Sequence, residues 1–461
     1  MTKTIIHGGK IVTSQAVTVA DILIENGVIT DIQPGLEFAG SNQINAQGKL
    51  VLPGGVDVHT HMPWPTGSFI STDTLARGSR AAAFGGVTSI IDFAIPNENE
   101  SLQSALDRKL AEATIEAWVD YSFHINIRGE IHRYLEEIPE LVQAGFPSYK
   151  VFMAYEGFRL PDADLLQVLK TVQEAGGMVN VHAENGPLAD YLTTELIRQG
   201  KRSLAFFPQA RPAICEEEAV SRILTYQKQT GVRLHIHHVS TAAAVDLIRS
   251  ARAAGQPLTA ETCPQYLVFC DEDYCSDPQL AAALVCAPAV KSKHDQAALW
   301  EGLIDGTLSA VATDHCPYSK EQKFSGGDNF SLVPGGMAGV ETRLPLLFDY
   351  GVNTGRLSLS QFAFVWAEGP ARSFGLFPRK GTIAIGSDAD LVIFDPDEQW
   401  TLKAADLHMN TDCLSYEGFS VTGKPKMTIL RGEVIVQDNH LGSDRSRGAL
   451  IPRSLQAQFK S

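Results

Sequence analysis

The histidines of this 461-residue chain gather where apolar runs end, and imidazole beside carboxylate at such positions is the material of a divalent-metal site. In residues 54–62, GGVDVHTHM, His59 and His61 stand two apart. Positions i and i+2 of a strand share a face, so both rings project together and can serve one ion. MVNVHAENG, residues 178–186, ends a second apolar run on His182, a ligand or a hydrogen-bonded core histidine. RLHIHHVST, residues 233–241, offers His235, His237 and His238. Alternation puts His238 on the face of Leu234 and Ile236 and the other two opposite, and spacing alone does not say which face looks inward. In AVATDHCPY, residues 310–318, Asp314 closes another apolar strand. A carboxylate there is a metal ligand, a general base or the N-cap of the next helix.

These runs need a scaffold that brings strand ends together. From about 53 to 375, short β-branched runs such as VTSIIDFA and MVNVHAE alternate with helical stretches such as SLQSALDRKLAEATIEAW and DADLLQVLKTVQEAGG. That alternation means βα units and a parallel sheet. About eight units predict a TIM (β/α)8 barrel, whose active sites lie at the C-terminal ends of its strands. Residues 1–52 read as short strands, with Asn26-Gly27 as a hairpin turn. The same texture returns in 376–441, which predicts one smaller β-sandwich domain built from both chain ends; residues from 442 to 461 read as an extended tail.

Bulk properties narrow the partners. A net charge of -15 and a pI near 5.3 exclude a phosphate-binding basic surface, so nucleic acid is not expected. No run approaches the length of a membrane span, and no secretory signal opens the chain. Seven cysteines without a C-x-x-C pair argue for a reducing compartment, and the cytoplasm is the expected location. Four histidines and an aspartate are too many ligands for one catalytic zinc that keeps an open position. Two ions would use them, but a bridging anion is then missing.

GGVDVHTHM, RAAAFGGVTSIIDFA, YSFHINI, YKVFMAYEG, VNVHAENG, HHVST, ETCPQYL, TDHCPY and KGTIAIGSDADLVIFDPD together resemble the amidohydrolase superfamily, and in detail its dihydropyrimidinase/hydantoinase family. The resemblance spans nearly the whole chain. It implies two divalent ions, zinc expected, with His59, His61 and Asp314 on one and His182 and His238 on the other. It also implies that Lys150, otherwise read as an ordinary surface lysine, is carboxylated and bridges both. Tyr155 would donate a hydrogen bond to the oxyanion, and Asp314 would shuttle the proton. The substrate implied is a small cyclic amide, opened to an N-carbamoyl amino acid, and the assembly implied is a homotetramer.

Within that superfamily, dihydroorotases carry an arginine where this chain has Pro63, and allantoinases an asparagine. Hydantoinases bind the ring through the backbone of a Ser-Pro-Pro segment and an asparagine before two glycines; here stand Ala287-Pro288-Ala289 and Gly335. Those departures bear on substrate preference, as do the loops near 63–70 and 155–160. Allantoinase or dihydroorotase activity, and a non-enzymatic structural relative, are the alternative expectations. The retained ligand set speaks against the last.

Overall fold

The computed structural model describes residues 3–442 and 445–455. Eight parallel strands follow one another around a barrel: β1 (Gly55–Asp57), β2 (Val87–Ala94), β3 (Asp120–Asn126), β4 (Ser148–Phe152), β5 (Met178–His182), β6 (Arg233–Ile236), β7 (Leu258–Thr262) and β8 (Ala310–Val311). Each pairs with its sequence neighbour, the order that right-handed βα units produce. The last gap is spanned just beyond β1 and β8, where Thr60 bridges His315 and His61 N–H donates to His315 O at 2.8 Å. Helices Leu102–Glu116 and Asp162–Glu174 fill the two helical stretches read from the sequence; Ser101 caps the first by accepting from Ser104 N–H.

Both chain ends do meet. Lys3–Val12, Val17–Glu25, Val28–Gln33, Asn42–Asn45 and Leu50–Pro53 form one sheet with Leu391–Thr401, Ser420–Leu430, Glu433–Gln437 and His440–Leu441. The seam is antiparallel, from Leu391 opposite Pro53 to Phe394 opposite Leu50. Ile6, Ile22 and Ile29 from one end and Leu391, Ile393 and Ile429 from the other share a separate hydrophobic core. Asn26 and Gly27 both have positive φ, 51° and 85°, as the tight hairpin turn requires.

Strand Leu50–Pro53 runs into β1 with only Gly54 between them, so the sheet aims the barrel directly. Trp366 locks this join by donating from Nε1 to Pro53 O at 3.0 Å. A Cβ on Gly55 would lie 2.2 Å from the Trp366 ring, so only glycine fits there. The tail is less free than its sequence suggests. Ala449 O accepts from Tyr121 N–H, and Ile451 N–H donates to Tyr121 O, at the N-terminal end of β3. Arg453, 3 % exposed, reaches inside to Ser122 Oγ and Phe123 O. The rest of the predicted tail, 443–444 and 456–461, lies outside the described residues.

Candidate metal centre at the barrel mouth

His59 and His61 leave β1 on the same side, with ring centroids 5.1 Å apart. Their Nε2 atoms lie 3.1 and 2.9 Å from Asp314 Oδ1, and the three donor atoms form a group compact enough for an ion. His182, at the end of β5, faces His238 with ring centroids at 4.5 Å; His59 and His238 are 5.4 Å apart. Lys150 sits on β4, in register with Asn126 of β3 and Asn180 of β5, and is 1 % exposed. These six residues line one cavity of about 460 Å³ with Tyr155, Ala287 and Gly335. Every site residue predicted from the sequence is therefore at the same mouth.

The strand stops before the last two of the three histidines: β6 ends at Ile236. His235 and His237 turn inward to Glu261, and His238, which alternation places on the opposite face from those two, has φ 38° and also lines the cavity. Helix Ala213–Thr230 stabilises that turn: buried Glu216 accepts from the Ser240 and Thr241 backbone N–H groups at 2.9 and 3.0 Å. Tyr155 and Asp314 also have positive φ, 67° and 52°. Three residues with strained backbones thus converge on one cavity, a concentration typical of functional sites.

Glu261, at the C-terminal end of β7, is the residue that sequence reasoning missed. Its carboxyl contacts His59 Nδ1 at 2.6 Å, His237 Nδ1 at 2.7 Å and His235 Nε2 at 3.1 Å. With Nδ1 engaged, His59 presents Nε2, which is buried and, although 3.1 Å from Asp314 Oδ1, makes no hydrogen bond. That is the orientation a carboxylate–histidine pair imposes on a metal ligand. On the other side, Glu184 contacts His182 Nε2 at 2.8 Å and Arg211 at 2.7 Å, so Nδ1 is the ring nitrogen of His182 that this carboxylate does not engage. Burial opposes ionisation of Glu184, but Arg211 and His182 overcome it and bring its pKa down to about 2. The only sequence signal for either glutamate was a carboxylate at a strand end.

Electrostatics suit cation binding. Burial, then the Lys150 charge, holds the His59 imidazole well below its ordinary pKa; burial, then His182, does so for His238, so both are neutral donors. Burial lowers Lys150 to about 7, although Asp314 and Glu261 pull it upward. Buried ring nitrogens without hydrogen bonds, the neutral imidazoles of His59 and His238 and a lysine whose charge is easily lost fit a divalent-metal site. Trp64, Phe152 and Phe158 pack together on the apolar side, with Trp64 and Phe152 each within 6.0 Å of the Phe158 ring. The loops near 63–70 and 155–160 thus contribute to the wall.

The amidohydrolase family model matches residues 50–435. This chain belongs to the amidohydrolase family. Its hydantoinase/dihydropyrimidinase branch follows from full-length similarity. The chain is 40 % identical to a D-hydantoinase of Geobacillus stearothermophilus, covering 98 % of this chain and 97 % of that one. It is 39 % identical to a D-hydantoinase of Streptomyces coelicolor, covering 98 % of both. The structure superposes on a dihydropyrimidinase from Brevibacillus agri with TM-score 0.95 and 37 % identity, covering 98 % of this chain and 99 % of that one. Family membership implies a binuclear divalent-metal site, and the imidazoles and Asp314 gathered at this mouth are its candidate ligands. Among the described residues no helix is long and apolar enough to cross a membrane.

Proposed function

We propose that this protein hydrolyses cyclic amides of the dihydropyrimidine and hydantoin type, opening the ring to an N-carbamoyl amino acid. One observation carries the reading: His59, His61, His182, His238 and Asp314 line a single cavity with Lys150, beside Trp64, Phe152 and Phe158. His59, His61 and Asp314 would hold one divalent ion, His182 and His238 the other, with zinc the expected metal. Lys150 would bridge them as a carbamate. Its amine, about half uncharged near pH 7, would form an N–C bond to carbon dioxide and release a proton to water. Bound ions would supply hydroxide at neutral pH and polarise the ring carbonyl.

The chain's own groups do the remainder. Asp314 takes the proton of the attacking water and delivers it to the ring nitrogen as the C–N bond breaks. Tyr155 lines the cavity 5.0 Å from His182, ring to ring. Burial holds its phenol above the ordinary range, so it stays protonated and donates to the tetrahedral oxyanion. Trp64, Phe152 and Phe158 exclude water and receive the ring's substituent. The Ala287 and Gly335 backbones meet the ring's polar edge. Tyr155→Phe is expected to lower kcat by about 10²–10³-fold with metal content unchanged; steady-state kinetics beside metal analysis checks this.

All seven cysteines are free thiols, which supports a reducing cytoplasm. A homotetramer is carried over from the family. The function is tested by ring-opening assays on zinc- and bicarbonate-supplemented protein with dihydrouracil, hydantoin, a 5-substituted hydantoin, dihydroorotate and allantoin. Turnover of the first three is expected. Turnover confined to allantoin or dihydroorotate would instead mean that Gly335 and the Ala-Pro-Ala segment redirect the site, and silence on every ring would remove the cyclic-amide reading.

A further inference from the structure

The cavity lining includes two segments outside regular helix and strand, Val285 to Ala287 and Gly335 to Gly336. Ala287 and the two glycines have no polar side chain, and the Cys286 thiol donates to Pro288 O at 3.3 Å, so these segments offer a ligand mainly peptide N–H and C=O groups. Peptide groups recognise a ring only if something else fixes their separation. Gly336 N–H donates to Val285 O at 3.0 Å, one direct tie between the segments. A Cβ on Gly336 would lie 2.5 Å from Cys316 O, so this backbone is pressed against its support.

Behind the wall lies an amine that the proposed chemistry does not use. Lys323, 2 % exposed, donates from Nζ to Val285 O at 2.8 Å and to Pro334 O at 2.9 Å. The Tyr318 ring lies beneath it, 5.6 Å from centroid to Nζ. The groups raising its pKa are the thiols of Cys413, Cys286 and Cys316, none of them a carboxylate; burial outweighs them and lowers it to about 8. An interior cation without a carboxylate is costly to bury and contributes little to stability for that cost. Its short helix, Lys320–Phe324, is anchored by the Ser319 capping box, and Gln322 Nε2 donates to Ile70 O in the mouth loop.

We propose that Lys323 is a positioning residue for substrate: by holding the Val285 and Pro334 carbonyls on one nitrogen, it sets the spacing of the two main-chain segments that receive the ring amide. This role presupposes the cyclic-amide activity proposed for the site. Charge-assisted hydrogen bonds from one atom to both segments hold them more firmly than the single peptide tie. The hydrogen bonds of Lys323 go to Val285 and Pro334 and its ring contact to Tyr318, none of them a candidate metal ligand, so its loss should weaken binding and leave the chemical step intact.

The test compares wild-type protein with Lys323→Met on the best of the five ring substrates, recording KM, kcat, bound metal and thermal unfolding. The expected result is a KM raised roughly tenfold or more, with kcat within about twofold and metal content unchanged. Unchanged KM would overturn the proposal. A joint fall in kcat and bound metal would also overturn it, because the lysine would then support the fold of the centre and not its wall. Should Lys323→Met fail to fold, Lys323→Gln is measured in the same way. Its shorter carboxamide retains N–H donors, so a smaller rise in KM supports the clamp and none overturns it. Wild-type protein inactive on every ring would remove the cyclic-amide reading itself, whereas active wild type beside an unaltered variant removes only the role of Lys323.

Discussion

Lys150→Ala is expected to lose bound metal and at least about 10³-fold in ring-opening activity, since two ions supply several kcal/mol of transition-state stabilisation. The reason lies in the burial of the amine. Desolvation lowers Lys150 to about 7, so at neutral pH a large fraction is an uncharged nucleophile able to take up carbon dioxide. The anion so formed would supply the bridge that four imidazoles and one carboxylate lack. Three outcomes separate this role from simple packing. Added formate, acetate or propionate should partly restore metal and activity to the alanine variant by occupying the vacated volume. Lys150→Arg, which keeps a cation but forms no such adduct, should remain inactive. Wild-type protein stripped of carbon dioxide and metal should regain activity faster with bicarbonate than without it. A fully metallated, active Lys150→Ala protein would refute the bridging role.

The second large effect concerns stability. Lys380 is 1 % exposed, and its Nζ lies 2.5 Å from Asp120, 2.6 Å from Asp390 and 2.9 Å from Asp388. Arg431 also pairs with Asp120, and Ala449 N–H donates to the same carboxylate. Three carboxylates and two cations thus join the barrel, the end sheet and the tail. Lys380→Met is expected to cost about 3–5 kcal/mol, because it leaves buried carboxylates under-compensated. Denaturant midpoints at neutral pH measure this. Burial already raises the Asp390 pKa with the lysine present. Without the lysine its folded pKa stands further above the unfolded value. Stability is then kept at low pH and lost as pH rises through the folded pKa. The deficit of Lys380→Met should therefore be largest at neutral pH and shrink in acid. Asp390→Asn in the same background should recover part of it; unchanged midpoints would mean that the cluster only breaks even.

The sequence was most legible where a local rule decides placement. Two-residue spacing put His59 and His61 on one side, and the alternation of strand and helix pointed to the barrel. It left the inward face of the three histidines from His235 to His238 open, because β6 stops at Ile236 and a left-handed turn, held by distant Glu216, sets the direction of the His238 ring. Glu261 was invisible for a related reason. In LTAET it resembles any polar strand end, and only closure of the barrel brings it to three histidines at once. Lys150 entered the candidate site only through resemblance, since a lone lysine in an apolar strand carries no sign of its burial. Strand texture at both ends was plain, but the pairing of Leu391 with Pro53 depends on long-range register, which no local window contains.

That seam bears on how the protein is made. Strand Leu50–Pro53 pairs on one side with Lys3–Val12, which leaves the ribosome early, and on the other with Leu391–Thr401, which leaves near the end of synthesis. For most of translation, an apolar strand therefore exposes an open edge beside a barrel whose floor still lacks Arg453. Such edges recruit other chains. Soluble yield should accordingly depend on the temperature and pace of expression more steeply than the stability of the finished protein would suggest, with nascent chains as the vulnerable species.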